Sequence, residues 1–448
     1  MPERFDVIVL GTGPAGGVVA KECVAAGLSV AAIDKGDFGG TCPLRGCEPK
    51  KVLVDAADAV ARASNMQGNG VTGNFGLEWP SLHRFQRSFV EPIPKAVQHS
   101  LHKAGITTVQ GVPVFTGANT LSVEGRQFEA EHIVIATGAQ PRQLPVPGND
   151  LALTSDDFFH LSSLPSRLVF VGGGFISFEF AHVAALAGAE VSIVHRSERV
   201  LRPFDPDLVA RVEEASRQAG IRIYKDTPVH SLSEDGSEVV LTAGPEGTQR
   251  FVADAVVNAI GRVPSIDGLD LENAGIEWSE HGVRVNEFMQ SVSNPAIYAA
   301  GDVAEPGQAL TPVAVMHAET VVHNILNGPS KTADHSGTAA TLFTYPPLAR
   351  VGMLESEARE TDPDCVVKHR HSENWSEYQR LGQQYAGYKI VFSGDRQRVL
   401  GAHLLGDGAE EVANVFALAV RKGLSVASLQ DMLWAYPSFG YTLRHMLG

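Results

Sequence analysis

Short, almost continuous apolar runs recur through the first three hundred residues, and several of them end at glycine-rich turns. Phe5 to Leu10 runs directly into Gly11, and a second apolar stretch from Leu28 closes on Asp34. Runs of this kind are typical of parallel strands that are buried on both faces. The segment between them, Val18 to Ala26, has the pattern of a helix, so the pattern predicts a strand–helix–strand unit.

The turn Gly11-Thr12-Gly13-Pro14-Ala15-Gly16 has the glycine spacing of a dinucleotide-binding loop. The first glycine permits the tight turn, the second lets a pyrophosphate approach the backbone, and the third lets helix and strand pack closely. The helix N-terminus receives the phosphates, and Asp34 can accept a hydrogen bond from a ribose hydroxyl. We therefore expect a Rossmann-like nucleotide site.

A second copy of this unit begins at Leu168. A strand to Val171 is followed by Gly172-Gly173-Gly174, a predicted helix over Phe178 to Ala187, and a strand over Glu190 to His195. Where the first copy ends in an acid, this copy has His195-Arg196, with Arg199 and Arg202 close behind. A missing carboxylate and added arginines suit a 2′-phosphate, and so predict NADPH over NADH.

The rest of the chain divides at about residue 335. Before this point the pattern predicts a helix over Phe85 to Lys103, a proline-rich linker from Pro141 to Pro147, and a helix from Leu310 to Leu326. After it, short strand-like runs are followed by helical runs, which is typical of an α+β domain. The predicted strands and helices there are Phe343–Tyr345, Arg350–Met353, Tyr388–Phe392, Val399–Leu405, Ala409–Lys422 and Ser425–Leu433.

The predicted fold class is therefore α/β, with two Rossmann-like dinucleotide-binding domains and a C-terminal α+β domain. The predicted boundaries are 1–140 for the first nucleotide domain, 141–262 for the second, 263–335 for a part that completes the first, and 336–448 for the last.

Composition and charge narrow the classes of partner. The 448 residues carry a formal net charge of −15, which argues against nucleic acid or an anionic membrane as the main partner. Four cysteines give no disulfide framework and suggest a reducing compartment. No apolar run reaches the roughly 18 residues that span a bilayer, and the start has no signal-peptide pattern. We expect a cytoplasmic protein.

Two of the cysteines, Cys42 and Cys47, follow a Gly39-Gly40-Thr41 turn and precede an apolar-periodic run from Val52 to Ala63. A cysteine at the start of a helix feels its positive end, and Lys50 also favours the thiolate. Thiolates exchange disulfides and capture metals. On these residues alone, a structural disulfide or two buried thiols is equally compatible. The other two, Cys23 and Cys365, are expected only to pack.

Together these features resemble the class I FAD-dependent pyridine nucleotide–disulfide oxidoreductases, such as glutathione reductase, dihydrolipoamide dehydrogenase and mercuric reductase. The resemblance covers essentially the whole chain. It is carried by Gly11/Gly13/Gly16 with Asp34, Gly39-Gly40-Thr41-Cys42 with Cys47 and Pro49-Lys50, Gly172 to Glu179, Gly261-Arg262, Ala300-Gly301-Asp302, and Leu310 to Ala314.

The resemblance implies FAD and NADPH as cofactors and assigns residues to them. Lys50 and Glu179 would form an ion pair beside the reacting nitrogen of the flavin, and Phe175 would move when the nicotinamide arrives. The cofactor-binding residues implied are Gly11, Gly13, Pro14, Ala15, Gly16, Asp34, Lys35, Gly40, Thr41, Lys50, Ala136, Thr137, Gly138, Gly172, Gly174, Phe175, Ile176, Glu179, His195, Arg196, Arg202, Gly261, Arg262, Gly301, Asp302, Leu310, Thr311 and Pro312.

The resemblance also implies the catalytic roles. Cys47 would face the flavin as the charge-transfer thiolate, and Cys42 would be the thiol that meets the substrate. The last domain would form the interface of a homodimer and contribute to the partner's active site. No metal site is implied.

One family feature is replaced. Disulfide-reducing members carry a His-Pro-Thr-x-x-Glu segment near the C-terminus, and here the histidine is Tyr436 and the glutamate is Tyr441. Tyrosine ordinarily has a pKa near 10, so it is a poor base at neutral pH although its hydroxyl can donate a hydrogen bond. His445, the nearest substitute base, is expected to be a surface histidine. We expect disulfide reduction to be weakened rather than lost.

The acceptor of the electrons stays open between alternatives. Where glutathione reductases present arginines to the substrate, this chain has Lys21, Glu22 and Glu319, so the first prediction is a small disulfide other than glutathione. The alternative is an electrophile that needs no general acid: a metal ion such as mercuric ion, a quinone, or a thioether like that of 2-oxopropyl-coenzyme M reductase. A redox-sensing or FAD-carrying binding protein with negligible turnover is a third hypothesis. The intact Lys50, Glu179 and set of arginines disfavour it, because a mere binding protein needs no site for a hydride donor.

Overall fold

The computed structural model describes all 448 residues, in two compact units. The first unit comprises Met1–Lys51, Arg84–Arg142 and Arg262–His335, and the second comprises Val52–His83, Gln143–Gly261 and Ser336–Gly448. The four predicted domain boundaries are a finer division than this and stay a prediction.

Fourteen α-helices and three short 3₁₀ helices connect the sheets, and none of the helices is both long and apolar enough to cross a membrane. The α-helices are Pro14–Ala25, Thr41–Arg45, Cys47–Asn65, Trp79–Val90, Ile93–Lys103, Ser155–Phe158, Phe175–Leu186, Pro206–Gln218, Thr311–Asn327, Glu355–Thr361, Ser376–Gln379, Ala409–Lys422, Val426–Gln430 and Leu443–Leu447. The 3₁₀ helices are Asn149–Leu151, Leu271–Ala274 and Phe439–Thr442.

The main sheet of the first unit has seven strands: five are parallel to one another, and two form an antiparallel extension. Val7 to Leu10 are fully buried, as both faces of a parallel sheet require. The order is Thr107–Gln110, Val30–Asp34, Glu3–Leu10, Arg126–Ile135, Thr120–Val123 and Pro113–Gly117, with Ile297–Ala299 parallel to Arg126–Ile135. Two small sheets join Ala139–Pro141 to Arg262–Pro264, and Trp278–Ser279, Gly282–Arg284 and Ala304–Glu305 to one another.

The second unit contains the repeat of this arrangement. Its five-stranded sheet is parallel throughout, in the order Arg222–Tyr224, Glu190–Val194, Arg167–Val171, Ala255–Asn258 and Ala152–Thr154. A three-stranded antiparallel sheet follows, formed by Val229–Asp235, Glu238–Ala243 and Gln249–Ala253.

The last hundred residues of the second unit build an antiparallel five-stranded sheet covered by the helix Ala409–Lys422, whose Ala413 and Phe416 are fully buried against it. The strand order is Ala339–Leu342, Leu348–Gly352, Val399–Leu405, Gly387–Phe392 and Val366–His371. The predicted fold class, two Rossmann-like units and an α+β domain, is confirmed.

Several element boundaries differ from the predictions. The helix predicted over Phe85 to Lys103 is wrong as a single element, because Pro92 separates two helices. Pro141 lies in a strand instead of a linker, and Phe343–Tyr345 follows a strand instead of forming one. The edge strand Val366–His371 was missed because its Lys-His-Arg-His end lacks an apolar pattern.

The two helices that follow the glycine loops begin three or four residues earlier than predicted, at Pro14 and Phe175. Their N-cap residues are Gly13 and Gly174, and no side chain caps either helix. The helix N-termini are therefore part of the loops themselves, which is the position from which backbone N–H groups bind phosphate.

Candidate redox active site

The first glycine loop is packed so closely that it tolerates no side chain. Gly11 has a φ of +101°, and a Cβ on it would lie 2.3 Å from the carbonyl oxygen of Ala136. A Cβ on Gly16 would lie 1.9 Å from the carbonyl oxygen of Gly11. A Cβ on Gly40 would lie 2.5 Å from the Cα of Gly13, so the two predicted loops meet backbone to backbone. Such a bare surface is what a dinucleotide pyrophosphate approaches.

Asp34 holds this loop through Thr12. The Oδ2 atom of Asp34 accepts hydrogen bonds from the N–H and the hydroxyl of Thr12 at 2.8 and 2.6 Å, and Oδ1 accepts one from the N–H of Gly36 at 3.0 Å. The hydroxyl oxygen of Thr12 accepts in turn from the N–H of Gly39 at 3.0 Å. Sequence reasoning missed Thr12 because it occupies a variable position of the glycine pattern.

The ends of two further strands supply polar groups to the same unit. Ala136 to Gly138 follow the strand Arg126–Ile135, and the hydroxyl oxygen of Thr137 is buried without a hydrogen-bond partner. Asp302 follows the strand Ile297–Ala299, and burial raises the pKa of its carboxyl group while Arg262 opposes that shift. An orphaned buried hydroxyl, a carboxyl group and a glycine cradle fit the polar ribose and phosphate chain of FAD.

Two more predicted cofactor residues lie in this unit with different partners. The ammonium group of Lys35 donates to the hydroxyl of Ser265 at 3.1 Å. The guanidinium of Arg262 donates to the carbonyl of Ala139 at 2.7 Å, and the strands of these two residues are paired. Arg262 therefore belongs to the first unit, while Gly261 ends the preceding segment of the second.

Cys42 and Cys47 meet at one hydroxyl group. Cys42 lies in the short helix Thr41–Arg45, and Cys47 is the first residue of the helix Cys47–Asn65. The hydroxyl of Thr311 donates to the Sγ of Cys42 at 3.2 Å and lies 3.6 Å from the Sγ of Cys47. Both cysteines are free thiols in the structure. The sequence places Thr311 264 positions after Cys47, so this contact is a product of the fold.

The two thiols have opposite pKa shifts. A hydrogen bond from Cys42, the hydroxyl of Thr311 and the charge of Lys50 lower the pKa of Cys47 to about 6, against the opposing effect of burial. Donation to Cys47 and burial raise the pKa of Cys42 far above its ordinary value. At neutral pH, Cys47 is therefore the thiolate and Cys42 is the protonated partner that stabilises it.

The second glycine loop repeats the packing of the first. Gly172 has a φ of +119°, and a Cβ on it would lie 2.3 Å from the carbonyl oxygen of Ala259. Ser177, at the third glycine position, is buried and donates its hydroxyl to the carbonyl of Gly172 at 2.7 Å. The ring of Phe175, next to Ile176 at the start of the helix, is 51% exposed.

The basic segment after the strand Glu190–Val194 has a defined internal structure. Ser197 contacts the Nε2 of His195 at 2.9 Å and accepts from the guanidinium of Arg202 at 3.1 Å. The guanidinium of Arg199 donates to the carbonyls of Arg202 and Phe204, which gives it a structural role. Burial lowers the pKa of His195. The exposed cations that remain for a phosphate are Arg196 and Arg202.

Glu179 is 1% exposed in the helix Phe175–Leu186, where its carboxylate accepts from the N–H of Phe343 at 2.9 Å. One turn later, burial lowers the pKa of His182 to about 4, and its ring contacts the hydroxyl of Ser216 at 2.9 Å. Lys50 lies in the first unit, so the ion pair between Lys50 and Glu179 stays a prediction.

Tyr436 and Tyr441 are neighbours. Their rings are 4.9 Å apart with an interplanar angle of 71°, and Tyr436 is 72% exposed. The ring of His445 lies 5.9 Å from that of Tyr441 and 5.4 Å from that of Trp375. No group of three or more His, Cys, Asp or Glu side chains in the chain has the arrangement of a metal site.

Residues 5–318 match the family of pyridine nucleotide-disulphide oxidoreductases, and residues 338–447 match the dimerisation domain of that family. The chain belongs to this family. The resemblance inferred from the glycine loops and the cysteine pair is thereby confirmed.

Curated relatives and solved structures of this family match the chain over nearly its full length. The chain is 30% identical over 455 residues to a glutathione reductase of Nostoc sp., covering 97% of each chain. It is 31% identical over 448 residues to a glutathione reductase of Burkholderia cepacia, covering 98% of each. Structures of the Escherichia coli HOCl-induced flavoprotein disulfide reductase RclA, free and as a Cu(II) complex, superpose with TM-scores of 0.88 and 0.90. Their identities are 27% and 26%, and 99% of each chain is covered.

The class of activity follows from these relatives and from the family match. The protein is an FAD-dependent pyridine nucleotide oxidoreductase of the disulfide reductase type.

Proposed function

We propose that this enzyme uses NADPH, with bound FAD, to reduce the Cys42–Cys47 pair, which then reduces a small disulfide other than glutathione. The observation that carries the proposal is the cluster of Cys42, Cys47 and Thr311, in which one thiol is ionised and the other is protonated. FAD, when bound, carries reducing equivalents from the nicotinamide to this pair.

The thiol chemistry balances with these two residues. The Cys47 thiolate, which accepts a hydrogen bond from Cys42, takes the Cys42 proton, and the Cys42 sulfur attacks one sulfur of the substrate disulfide. The substrate S–S bond breaks, the leaving thiolate takes this proton from Cys47 and departs as the first product thiol, and a mixed disulfide with Cys42 remains. The Cys47 thiolate then attacks the Cys42 sulfur, which forms the Cys42–Cys47 disulfide and releases the second product as a thiolate that takes a proton from water.

The proposed preference for NADPH over NADH rests on the segment that follows the strand Glu190–Val194. An acid at this position would accept from the 2′-hydroxyl of NADH, and here the position is His195. Arg196 and Arg202 are exposed, and their guanidinium groups suit a 2′-phosphate. The Arg196→Ala/Arg202→Ala variant should raise KM for NADPH about tenfold or more, and leave KM for NADH nearly unchanged. Arg217→Ala, an exposed arginine of the neighbouring helix, is the control.

The proposed exclusion of glutathione rests on charge. Lys21, Glu22 and Glu319 are exposed on the helices Pro14–Ala25 and Thr311–Asn327, where glutathione reductases have arginines for the carboxylates of the substrate. Two acids at such positions repel an anionic tripeptide. A substrate disulfide with neutral or cationic ends would avoid this repulsion.

We further propose a cytoplasmic homodimer whose C-terminal domain contributes to the partner's active site. The match of residues 338–447 to a dimerisation domain supports the dimer. The exposure of Met432, Leu433 and Tyr436 supports the same segment as part of the interface, since exposed apolar side chains in series mark contact surfaces.

A metal ion is the second candidate acceptor. RclA, which superposes on this chain over 99% of its length, has been crystallised as a Cu(II) complex. Reduction of Cu(II) needs electrons and no protonated leaving group, so Tyr436 and Tyr441 in place of the family's His-Glu pair would not hinder it. Mercuric ion and quinones belong to the same class of acceptor.

The deciding experiment measures NADPH oxidation by the FAD-loaded enzyme with each acceptor. The panel contains glutathione disulfide, cystine, cystamine, bis(2-hydroxyethyl) disulfide, Cu(II), Hg(II) and a quinone. We expect the highest kcat/KM with an uncharged or cationic disulfide and loss of that activity in Cys42→Ser. A preference for glutathione disulfide would overturn the substrate proposal, and turnover only with metal ions or quinones would favour the second candidate.

A further inference from the structure

A cavity of about 650 Å³ in the C-terminal α+β part of the second unit is lined by cationic and aromatic side chains. No lining residue is an aspartate or a glutamate, although the whole chain carries a net charge of −15. The lining residues that matter for its chemistry are Lys368, Arg370, His371, Trp375, Arg444 and His445. None of them belongs to either glycine loop.

Two elements bring the cations together. Lys368 and Arg370 alternate along the edge strand Val366–His371, so their side chains leave the same face. Arg444 and His445 lie in the helix Leu443–Leu447. The ammonium group of Lys368 donates to the carbonyl of His445 at 2.8 Å and ties the helix to the strand.

Partners within the protein reach only part of the positive charge of the cavity: Lys368 also donates to the main-chain oxygen of Gly448, and the Nδ1 of His371 lies 3.8 Å from the carboxylate of Glu373. The guanidinium of Arg370 donates to the adjacent carbonyl of His369 at 3.1 Å, and that of Arg444 lies 5.8 Å from the ring centre of Tyr441. Neither arginine forms an ion pair. Burial and the charge of Arg370 lower the pKa of Lys368. Like charges held together in this way repel, and a bound anion would relieve the repulsion.

Trp375 adds a flat apolar surface beside these cations. Its indole is half-buried, 5.4 Å from the ring of His445 and 5.5 Å from that of Tyr388. Arginine guanidinium groups bind phosphate with paired hydrogen bonds, and an indole packs against planar rings. A phosphorylated molecule with an aromatic ring combines both features, and a cavity of this volume is within the usual range for small ligands.

We propose that this cavity is a nucleotide-binding site, with Arg370 and Arg444 on the phosphates and Trp375 against the base. The site is additional to the FAD and NADPH sites, and the proposal does not depend on the identity of the electron acceptor.

The test uses the FAD-loaded full chain with Gly174→Ala as background, because a Cβ at Gly174 would project into the open space where the loop admits a pyrophosphate and would weaken binding of ADP at the NADPH site. ADP is titrated by calorimetry, with adenosine and pyrophosphate as its two halves. We expect one ADP per chain, with Arg370→Ala/Arg444→Ala weakening the affinity about tenfold or more, since two charged hydrogen-bond donors to the phosphates are removed. Arg380→Ala, an exposed arginine outside the cavity, should leave the affinity unchanged.

The contribution of the Trp375 indole is tested separately. ADP should quench the fluorescence of Trp375, and the quenching should disappear in Trp375→Phe. Adenosine and pyrophosphate should each bind at least about tenfold more weakly than ADP.

Several results would overturn the proposal: no binding of ADP in this background, equal affinity in the double arginine variant, or equal loss in Arg380→Ala. Pyrophosphate as tight as ADP, or adenosine as tight as ADP, would overturn the nucleotide assignment. Retained flavin and an unchanged Tm show that a variant is folded. If the double variant fails this check, ADP affinity is measured instead in the single variant Arg370→Ala, whose side chain is exposed.

Discussion

At the scale of residues, the charge states of the two cysteines follow from a few short contacts. Cys42 donates to Cys47, which favours a negative charge on Cys47 and disfavours one on Cys42, whereas the hydroxyl of Thr311 contacts both sulfurs and lowers the pKa of both. Two residues of the same type thereby acquire different reactivity. Burial raises both pKa values and Thr311 lowers both, so the hydrogen bond between the two cysteines decides the asymmetry.

The pH dependence of Cys47 alkylation tests this account. Because the folded pKa of Cys47 is about 6, the rate of its reaction with iodoacetamide should be close to its maximum above pH 7. The rate should fall as the pH drops through 6. Cys42→Ala removes the strongest stabilising contact and should raise the midpoint by about one pH unit or more. Cys42→Ser keeps a hydroxyl donor and is the matched control, with a midpoint closer to that of the parent. Site-resolved mass spectrometry of the reduced protein gives the rates, and equal midpoints in all three proteins would contradict the account.

Tyr436 offers a second test at this scale. If the missing base limits thiol exchange, Tyr436→His should raise kcat/KM for small disulfides by about tenfold, since general acid–base catalysis contributes about 10²–10⁴-fold when fully arranged. Tyr441→Glu added to it would supply the orienting acid and should increase the gain. Tyr436→Phe is the control, which removes the hydroxyl and adds no base. Unchanged disulfide turnover in the histidine variants would mean that another step limits the rate.

At the scale of elements, each nucleotide loop works because the following helix begins inside it. Gly13 and Gly174 are N-cap residues, so the first N–H groups of both helices face the loop. The close approach of backbone segments, such as Gly11 to Ala136 and Gly172 to Ala259, fixes the orientation of each helix. The local sequence therefore determines a phosphate site only when the neighbouring strand ends are in place.

Two glycines of the second loop provide a matched pair that tests whether this close backbone packing is required. Gly172→Ala places a Cβ 2.3 Å from the carbonyl oxygen of Ala259 at a φ of +119°, and should reduce the free energy of unfolding by about 1–3 kcal/mol or more. Gly174→Ala has no atom within 4 Å of its Cβ and a φ of −95°, so it should leave the stability nearly unchanged. Thermal unfolding of the FAD-loaded protein measures both. Equal stability of the two variants would show that the close packing of Gly172 is not required.

At the scale of the whole molecule, the C-terminal segment leaves an apolar surface exposed. Leu433 is 97% exposed and Met432 is 52% exposed, and both lie within residues 338–447, which match a dimerisation domain. Exposure of this kind is rarely retained in water without a partner. The homodimer proposed above would cover it.

Sedimentation velocity tests the dimer. Met432→Asp/Leu433→Asp should convert a dimer to monomers at micromolar concentration, because two charges would be buried at the interface. Val252→Asp is the control, an apolar residue 41% exposed on the strand Gln249–Ala253, and should leave the dimer intact. A dimer that persists in the double variant would exclude this segment from the interface.

Much of the architecture was predictable from local pattern, because buried parallel strands and glycine loops leave a signature within about thirty residues. The two Rossmann-like units, the α+β end of the chain and the cysteine pair were all recognised in this way. Elements with weaker signatures were mistaken: Pro92 divides a helix that apolar spacing alone would continue, and the edge strand Val366–His371 is too polar to stand out.

The sequence by itself determined the residue types of the redox site, since two glycine loops in strand–helix–strand units, one followed by a cysteine pair and the other by a cluster of arginines, are together specific although the cysteine pair alone is not. Tertiary structure decided how those residues act. Thr311 reaches both sulfurs across more than 260 positions, and Thr12 ties the loop to Asp34. Arg199 donates to two backbone carbonyls, whereas Arg202 donates to the side chain of Ser197. Hydrogen bonds and pKa values depend on distances of about 3 Å, and only the folded chain sets distances between residues far apart in sequence.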